Sequence, residues 1–227
     1  AWSPDGRQLA FFQEGLMTIR PDGSDLRQVI DVDVGTSAWV PPVWSPDGGW
    51  IAFMTGGHQI VVVRPDGTGV HGVGGYAFDP GDPFEESFSW SPSGRRLAYV
   101  GLTRTRAGSQ YDIYTVSVDG GRPKRLTNTP DGKLTPRWSP NGRRIAFVST
   151  RDGNEEIYVL DLGSGNVTRL THNPARDVTP NWSPSGQALS FSSSRDGNPD
   201  VYLMNADGTD QRKLTDFPGD DSQPDWT

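Results

Sequence analysis

Cysteine is absent from the 227 residues, which excludes a disulfide framework, a thiolate metal site and a cysteine nucleophile. No apolar run approaches the ~18 residues of a membrane-spanning segment, so membrane insertion is not expected. Positive charge is scarce: 21 Lys and Arg stand against 28 Asp and Glu, a net charge of −7. Phosphate binding needs a basic surface, so a nucleic-acid partner is disfavoured. Long uninterrupted stretches are missing too. There are 28 Gly and 19 Pro, and the longest stretches free of both, Ser24 to Val34 and Ser109 to Asp119, are 11 residues each. Neither exceeds one average helix, and both also read as strands and turns. There is no initiator Met and no charged-then-apolar leader, from which we expect either a removed signal peptide or a piece of a longer chain.

Catalytic signatures are missing as well. No Gly-x-Ser-x-Gly elbow occurs, the nearest string being Gly163 to Gly165 in a hairpin turn. Gly72, Gly74 and Ala77 satisfy a dinucleotide-type spacing, but Phe78 to Gly81 cannot start the helix that such a loop needs. Asp31 and Asp33 have calcium-loop spacing without the later Glu. His58, His71 and His172 are far apart in sequence. We therefore expect no catalytic residues, no cofactor and no resident metal, apart from a Ca²⁺ that acids at a channel mouth could hold.

What the chain does contain is a phrase that recurs. WSPDGR starts at Trp2, WSPDGG at Trp44, WSPSGR at Trp90, WSPNGR at Trp138 and WSPSGQ at Trp182, and a sixth register Trp, Trp226, follows near the end. The intervals of 42, 46, 48, 44 and 44 residues belong to repeat architectures. After each WSPxG comes a short alternating apolar strand such as Arg144 to Val148, and then a polar turn, RDGN at Arg151 to Asn154 and at Arg195 to Asn198. A second apolar strand, a DG or GSG turn and a short strand ending in RLT or KLT complete the unit. In RDGN, backbone demands alone account for the Asp and the Gly. Four strands per repeat without a helical segment predict an all-β fold, a β-propeller of four-stranded blades. The single domain spans residues 1–227, with repeats at about 2–43, 44–89, 90–137, 138–181 and 182–226. The register tryptophans are expected to fill the space between blades.

These phrases resemble the WD40-like, or PD40, family of propeller repeats found in the C-terminal domain of the periplasmic protein TolB. The likeness covers essentially the whole chain and is best from Trp138 onward; the first two repeats lack RDGN and LT. Nothing corresponds to TolB's N-terminal α/β domain. The ring is either five-bladed, with Ser222 to Trp226 closing beside the N-terminal strands, or a fragment of a ring of six or more blades; TolB-like propellers usually have six.

Because successive strands alternate in direction, the WSPxG and DG turns share one face, and the RDGN turns and post-LT loops share the other. In related propellers the second face, at the channel mouth, is the usual binding surface. Here it holds the variable loops, including Gly74 to Ser87 with Tyr76, Phe78, Phe84 and Glu85. Aromatics among acids suit a protein or peptide partner. Trp39, outside the register, is the best single candidate. Glu85, Asp177 and Asp221 each stand five residues before a register Trp. They are expected to bond backbone amides where the loop enters the inner strand, or else to line the mouth and hold a cation; Lys133 at the same place weakens a symmetric metal ring. The resemblance implies a non-catalytic, monomeric, periplasmic or extracellular scaffold for a protein or peptide. The alternatives are the gating propeller of a larger prolyl-oligopeptidase-like hydrolase or a carbohydrate-active propeller.

Overall fold

The computed structural model describes residues 1–32, 41–56, 59–75, 88–105, 108–222, 224 and 226, leaving aside the side chains of 75, 104 and 105. Among these residues there is no helix. Every blade is an antiparallel up-and-down meander. The first contains β1 (Leu9–Phe12), β2 (Leu16–Ile19) and β3 (Arg27–Ile30), with Trp2 bridged to Leu9 in place of an inner strand. The second contains β4 (Val43–Trp44), β5 (Ile51–Met54), β6 (Gln59–Val63) and β7 (His71–Gly75). The third contains β8 (Phe88–Trp90), β9 (Arg96–Thr105), β10 (Gly108–Ser117) and β11 (Lys124–Arg125). The fourth contains β12 (Lys133–Trp138), β13 (Arg144–Ser149), β14 (Glu156–Asp161) and β15 (Val167–Arg169). The fifth contains β16 (Asp177–Trp182), β17 (Ala188–Ser193), β18 (Asp200–Asn205) and β19 (Arg212–Lys213).

The WSPxG turns form for local reasons. In each, the Ser hydroxyl accepts from the backbone N–H five residues on, as in Trp50 N to Ser45 Oγ (2.9 Å) and Ala188 N to Ser183 Oγ (3.1 Å). The glycine N–H returns to the Ser carbonyl, and its φ of +67 to +70° is a conformation L side chains resist. Adjacent turns pack against one another: a Cβ on Gly94 would lie 2.5 Å from Asp47 Oδ1, and one on Gly186 would touch Pro140. This face is therefore tiled by tight turns.

In the inner blades both faces of the sheet are buried, so alternate residues of one strand serve different joints. Ile51 and Phe53 join Ala10, Leu16 and Trp44 between the first and second blades, whereas Ala52 and Met54 join Trp90, Leu97 and Tyr99 between the second and third. Ala98, Val100 and Ile113 meet Ile145 and Phe147 at the next joint, and Ile157 and Val159 meet Trp182, Leu189 and Phe191 at the last. Register tryptophans lock these joints. Nε1 of Trp44, Trp90, Trp182 and Trp226 donates to Ala1, Val43, Arg137 and Asn181 O respectively, at 3.1–3.2 Å and 43 to 47 residues away. The expected filling of inter-blade space thus holds for them, but Trp2 is 55% exposed, no other blade covering it among the described residues. The five sheets do not close a ring. Trp226 makes on the fifth blade the same bond that Trp44, Trp90 and Trp182 make on the blade before their own.

Candidate functional site

The loop-rich face is assembled from side chains that the RDGN phrase supplies. In the fourth blade the Arg151 guanidinium lies 4.6 Å from the Tyr158 ring centroid, while its Nε donates to Ser149 Oγ (3.1 Å). Asp152 accepts from Tyr158 Oη, and Asn154 Nδ2 donates to Asn173 O (2.8 Å) and Ala175 O (2.9 Å) in the following loop. The fifth blade repeats the set: Arg195 over Tyr202 (4.6 Å), Asp196 accepting from Tyr202 Oη, and Asn198 Nδ2 donating to Gly219 O (2.7 Å) and Phe217 O (3.3 Å). Burial, reinforced by the Asp196 bond, pushes the Tyr202 hydroxyl up to about 12. The expectation that backbone demands alone explain the Asp is thereby corrected: its carboxylate is the acceptor of a tyrosine. The Asn joins RDGN turns to post-LT loops, as their shared face requires.

Beneath the face lie three fully buried acids spaced 44 residues apart, Asp112, Glu156 and Asp200, which the sequence reading missed. Glu156 and Asp200 open the third strands of their blades, Asp112 holds the equivalent place within the longer β10, and each pairs with the cation of the RLT or KLT phrase. Arg125 Nε donates to Asp112 Oδ2 (3.0 Å), Arg169 Nη2 to Glu156 Oε1 (2.8 Å), and Lys213 Nζ lies 2.8 Å from Asp200 Oδ2. The threonine of the same phrase accepts the next backbone N–H: Ile113 on Thr127 (3.0 Å), Ile157 on Thr171 (2.9 Å) and Val201 on Thr215 (2.9 Å). The recurrence of an acid two residues before Tyr114, Tyr158 and Tyr202 was the available signal.

Of the predicted site residues, Trp39, Tyr76, Phe78, Phe84 and Glu85 lie outside the described residues. Asp177 is fully buried and accepts both Oδ contacts from Arg195 Nη2, at 3.1 and 2.9 Å. Its partner is thus a guanidinium, not the backbone amide expected. Burial pushes its carboxyl up; the Ser193 hydroxyl and Arg195 oppose this, and neighbouring Glu156 adds to it. Asp221 donates its N–H to Pro199 O (2.7 Å), and its carbonyl accepts from Ser192 Oγ (3.4 Å). Lys133 is fully buried, its Nζ donating to Thr129 O (2.9 Å), Asp131 O (3.0 Å) and Tyr111 O (3.2 Å), with Asp112 and Asp131 carboxylates at 3.4 Å. A side-chain ammonium thus fills this position. Among the described residues no three His, Asp or Glu side chains are grouped to hold a metal ion.

The raised carboxyl gives a pH prediction. A folded-state value above the unfolded one means that the native chain binds the extra proton, so stability falls as pH rises from the ordinary carboxylate range, about 4, through the raised value. Asp177→Asn removes that contribution. Urea midpoints across pH 4–7 should fall less steeply for the variant than for the native chain, and parallel curves would contradict the assignment.

Two features stand proud of this face. Phe217, 68% exposed, follows the KLT phrase with its backbone held by Asn198 and its neighbour Asp216 in solvent. In the third blade, β9 and β10 are ten residues each, against four to six for the corresponding strands elsewhere. On the opposite face a groove of about 950 Å³ runs between the first two blades, past Trp44, Pro46 and Pro65. Its arginines Arg7 and Arg20 lie against Asp5 (3.8 Å) and Asp25 (3.4 Å).

Comparison with known proteins places this geometry. A family model described as the TolB beta propeller domain matches residues 85–227. The chain is similar to a protein described as TolB from Agrobacterium tumefaciens, with 27% identity, a TM-score of 0.71 and coverage of 94% of this chain and 78% of that one. It is similar in fold to an oligogalacturonate lyase from Vibrio parahaemolyticus, with TM-score 0.73, 12% identity, and coverage of 96% and 64%. A curated relative from Bacillus subtilis, described as an uncharacterized peptidase, YuxL, is 34% identical over 149 residues, 58% of this chain. The matched stretch is 20% of that relative's length.

Proposed function

The chain belongs to the TolB β-propeller family, and on that premise we propose that it is a non-catalytic scaffold binding a protein or peptide through its loop-rich channel-mouth face. The contrast between its two faces carries this reading. One is tiled by repeated WSPxG turns; the other bears the loops that differ between blades, held at their roots by Asn154 and Asn198. An anchored loop that presents Phe217 to solvent offers a partner an apolar contact without first having to be ordered. The TolB likeness supports a periplasmic or extracellular setting, and the scaffold works as a monomer. A photo-crosslinking residue in place of Phe217 should label a discrete polypeptide in a periplasmic extract, while the same residue at Ser164, in a turn of the opposite face, should not. Equal labelling from both positions would overturn the reading.

The 34% identity to a described peptidase favours a second reading, the propeller portion of a larger hydrolase. A Gly-x-Ser-x-Gly segment in the same reading frame would establish it.

A further inference from the structure

The joint between the first and second blades and the joint between the fourth and fifth are built from the same contacts. Nε1 of Trp44 donates to Ala1 O (3.2 Å), and Nε1 of Trp182 to Arg137 O (3.1 Å). A Cβ on Gly48 would touch Pro4 as one on Gly186 would touch Pro140, and a Cβ on Gly67 would meet Val29 O as one on Gly208 would meet Leu170 O. The two joints differ at the residue six places after the Trp of the earlier blade, which is Arg144 in the fourth and Gln8 in the first. The Arg144 guanidinium spans its joint: it lies 4.8 Å from the Trp182 ring centroid, with Nη1 3.4 Å from Ala206 O and Nη2 3.5 Å from Gly186 O. At the first joint the same ring and oxygens belong to Trp44, Pro65 and Gly48, since Arg64 to Gly67 form the turn that Asn205 to Gly208 form, each closed by a 2.9 Å bond from the Gly N–H. All three residues line the groove of about 950 Å³, together with the shorter Gln8. Among the described residues nothing donates to Pro65 O or Gly48 O.

The fourth blade therefore shows what the first joint is shaped to hold. A guanidinium presents a flat face to an indole and a fork of N–H donors to carbonyl oxygens, whereas an ammonium is a compact, strongly hydrated charge that suits such a slot less well. The charges of the lining agree. Asp5, Asp22 and Asp47 outnumber Arg7 and Arg20, and those two arginines already lie against Asp5 (3.8 Å) and Asp25 (3.4 Å). We infer that the groove is a receptor for one guanidinium group, that of an arginine brought by a ligand, which takes at the first joint the place that Arg144 fills at the last. The groove is on the WSPxG face, opposite the proposed partner surface, and the inference does not depend on that reading.

The probes are a capped tripeptide, acetyl-Gly-Arg-Gly-amide, and its lysine counterpart, titrated into the isotope-labelled full chain while the indole N–H resonances are followed. Trp44→Phe identifies the Trp44 resonance. That resonance should shift with the arginine peptide, which should bind about tenfold more tightly than the lysine peptide. Arginine amide separates the two sources of the group: binding comparable to the tripeptide supports recognition of the guanidinium alone, and binding about tenfold weaker supports an arginine within a peptide. Gln8→Arg should weaken binding by about tenfold or more, with the β-sheet circular dichroism unchanged, because the chain then supplies its own guanidinium. In Arg144→Gln the Trp182 resonance, silent in the native chain, should begin to respond to the arginine peptide. A Trp44 resonance that does not move, equal affinity for the two peptides, undiminished binding to Gln8→Arg, or a Trp182 resonance that stays silent in folded Arg144→Gln overturns the inference.

Discussion

Lys133→Met should lower the stability of the chain by about 3–5 kcal/mol, the cost of breaking a buried ion pair from one side. Methionine is close to lysine in length and volume, so the loss would reflect charge and hydrogen bonding instead of a cavity. The native ammonium serves three carbonyl oxygens and lies 3.4 Å from two carboxylates, with no solvent access. Without it the Thr129, Asp131 and Tyr111 carbonyls lose a donor. Asp112 keeps Arg125 and Thr127, whereas Asp131 loses its close cation and is left with the Ser149 hydroxyl and a 3.8 Å approach of Arg151. Urea unfolding followed by tryptophan fluorescence measures the effect. A loss below about 1 kcal/mol, as for an exposed pair, would show that Lys133 does not hold the joint between the third and fourth blades.

The second large effect concerns tryptophans that share one repeat position. Trp182→Ala is expected to cost about 3–5 kcal/mol, the range for deleting a large buried aromatic. Trp182 is 5% exposed, donates to Arg137 O across the joint at 3.1 Å, and lies under the Arg144 guanidinium at 4.8 Å. Trp2→Ala should stay within about 0.5 kcal/mol, because its side chain is already 55% exposed. Trp182→Phe separates packing from the indole bond and should lose about 1 kcal/mol. Chemical denaturation of the three variants checks the series. Equal costs for Trp2→Ala and Trp182→Ala would mean that the tryptophans act within their own blades and not between them.

Strands and turns were the legible part of this chain. Every bond of a WSPxG turn closes within six residues, as between Ser183 and Ala188, so the phrase carries the whole of its structure with it. The apolar run Ile51 to Met54 was likewise legible as a strand, and the DG turns placed their glycines at positive φ. The candidate site was less legible. Asp177 was singled out by its position, but its partner Arg195 belongs to a turn 18 residues on, and its buried state could not be inferred from a charged side chain in a polar stretch. Asp112, Glu156 and Asp200 escaped notice for the same reason: an acid beside a cation in a repeat reads as solvated surface until the neighbouring blade covers it.

The period of about 45 residues, the meander and the two classes of turn follow from local hydrogen bonding and from strand alternation, both of which are written in consecutive residues. Whether a given side chain is buried does not follow from its own neighbours in the chain. Trp2 and Trp182 occupy the same phrase, yet one is exposed and the other enclosed, because enclosure comes from the blade before. Lys133 could be a charge in the interior only because Tyr111, 22 residues earlier and in another blade, supplies one of its oxygens. Burying a charge is unfavourable until such partners arrive, and their arrival is a property of how the blades are stacked.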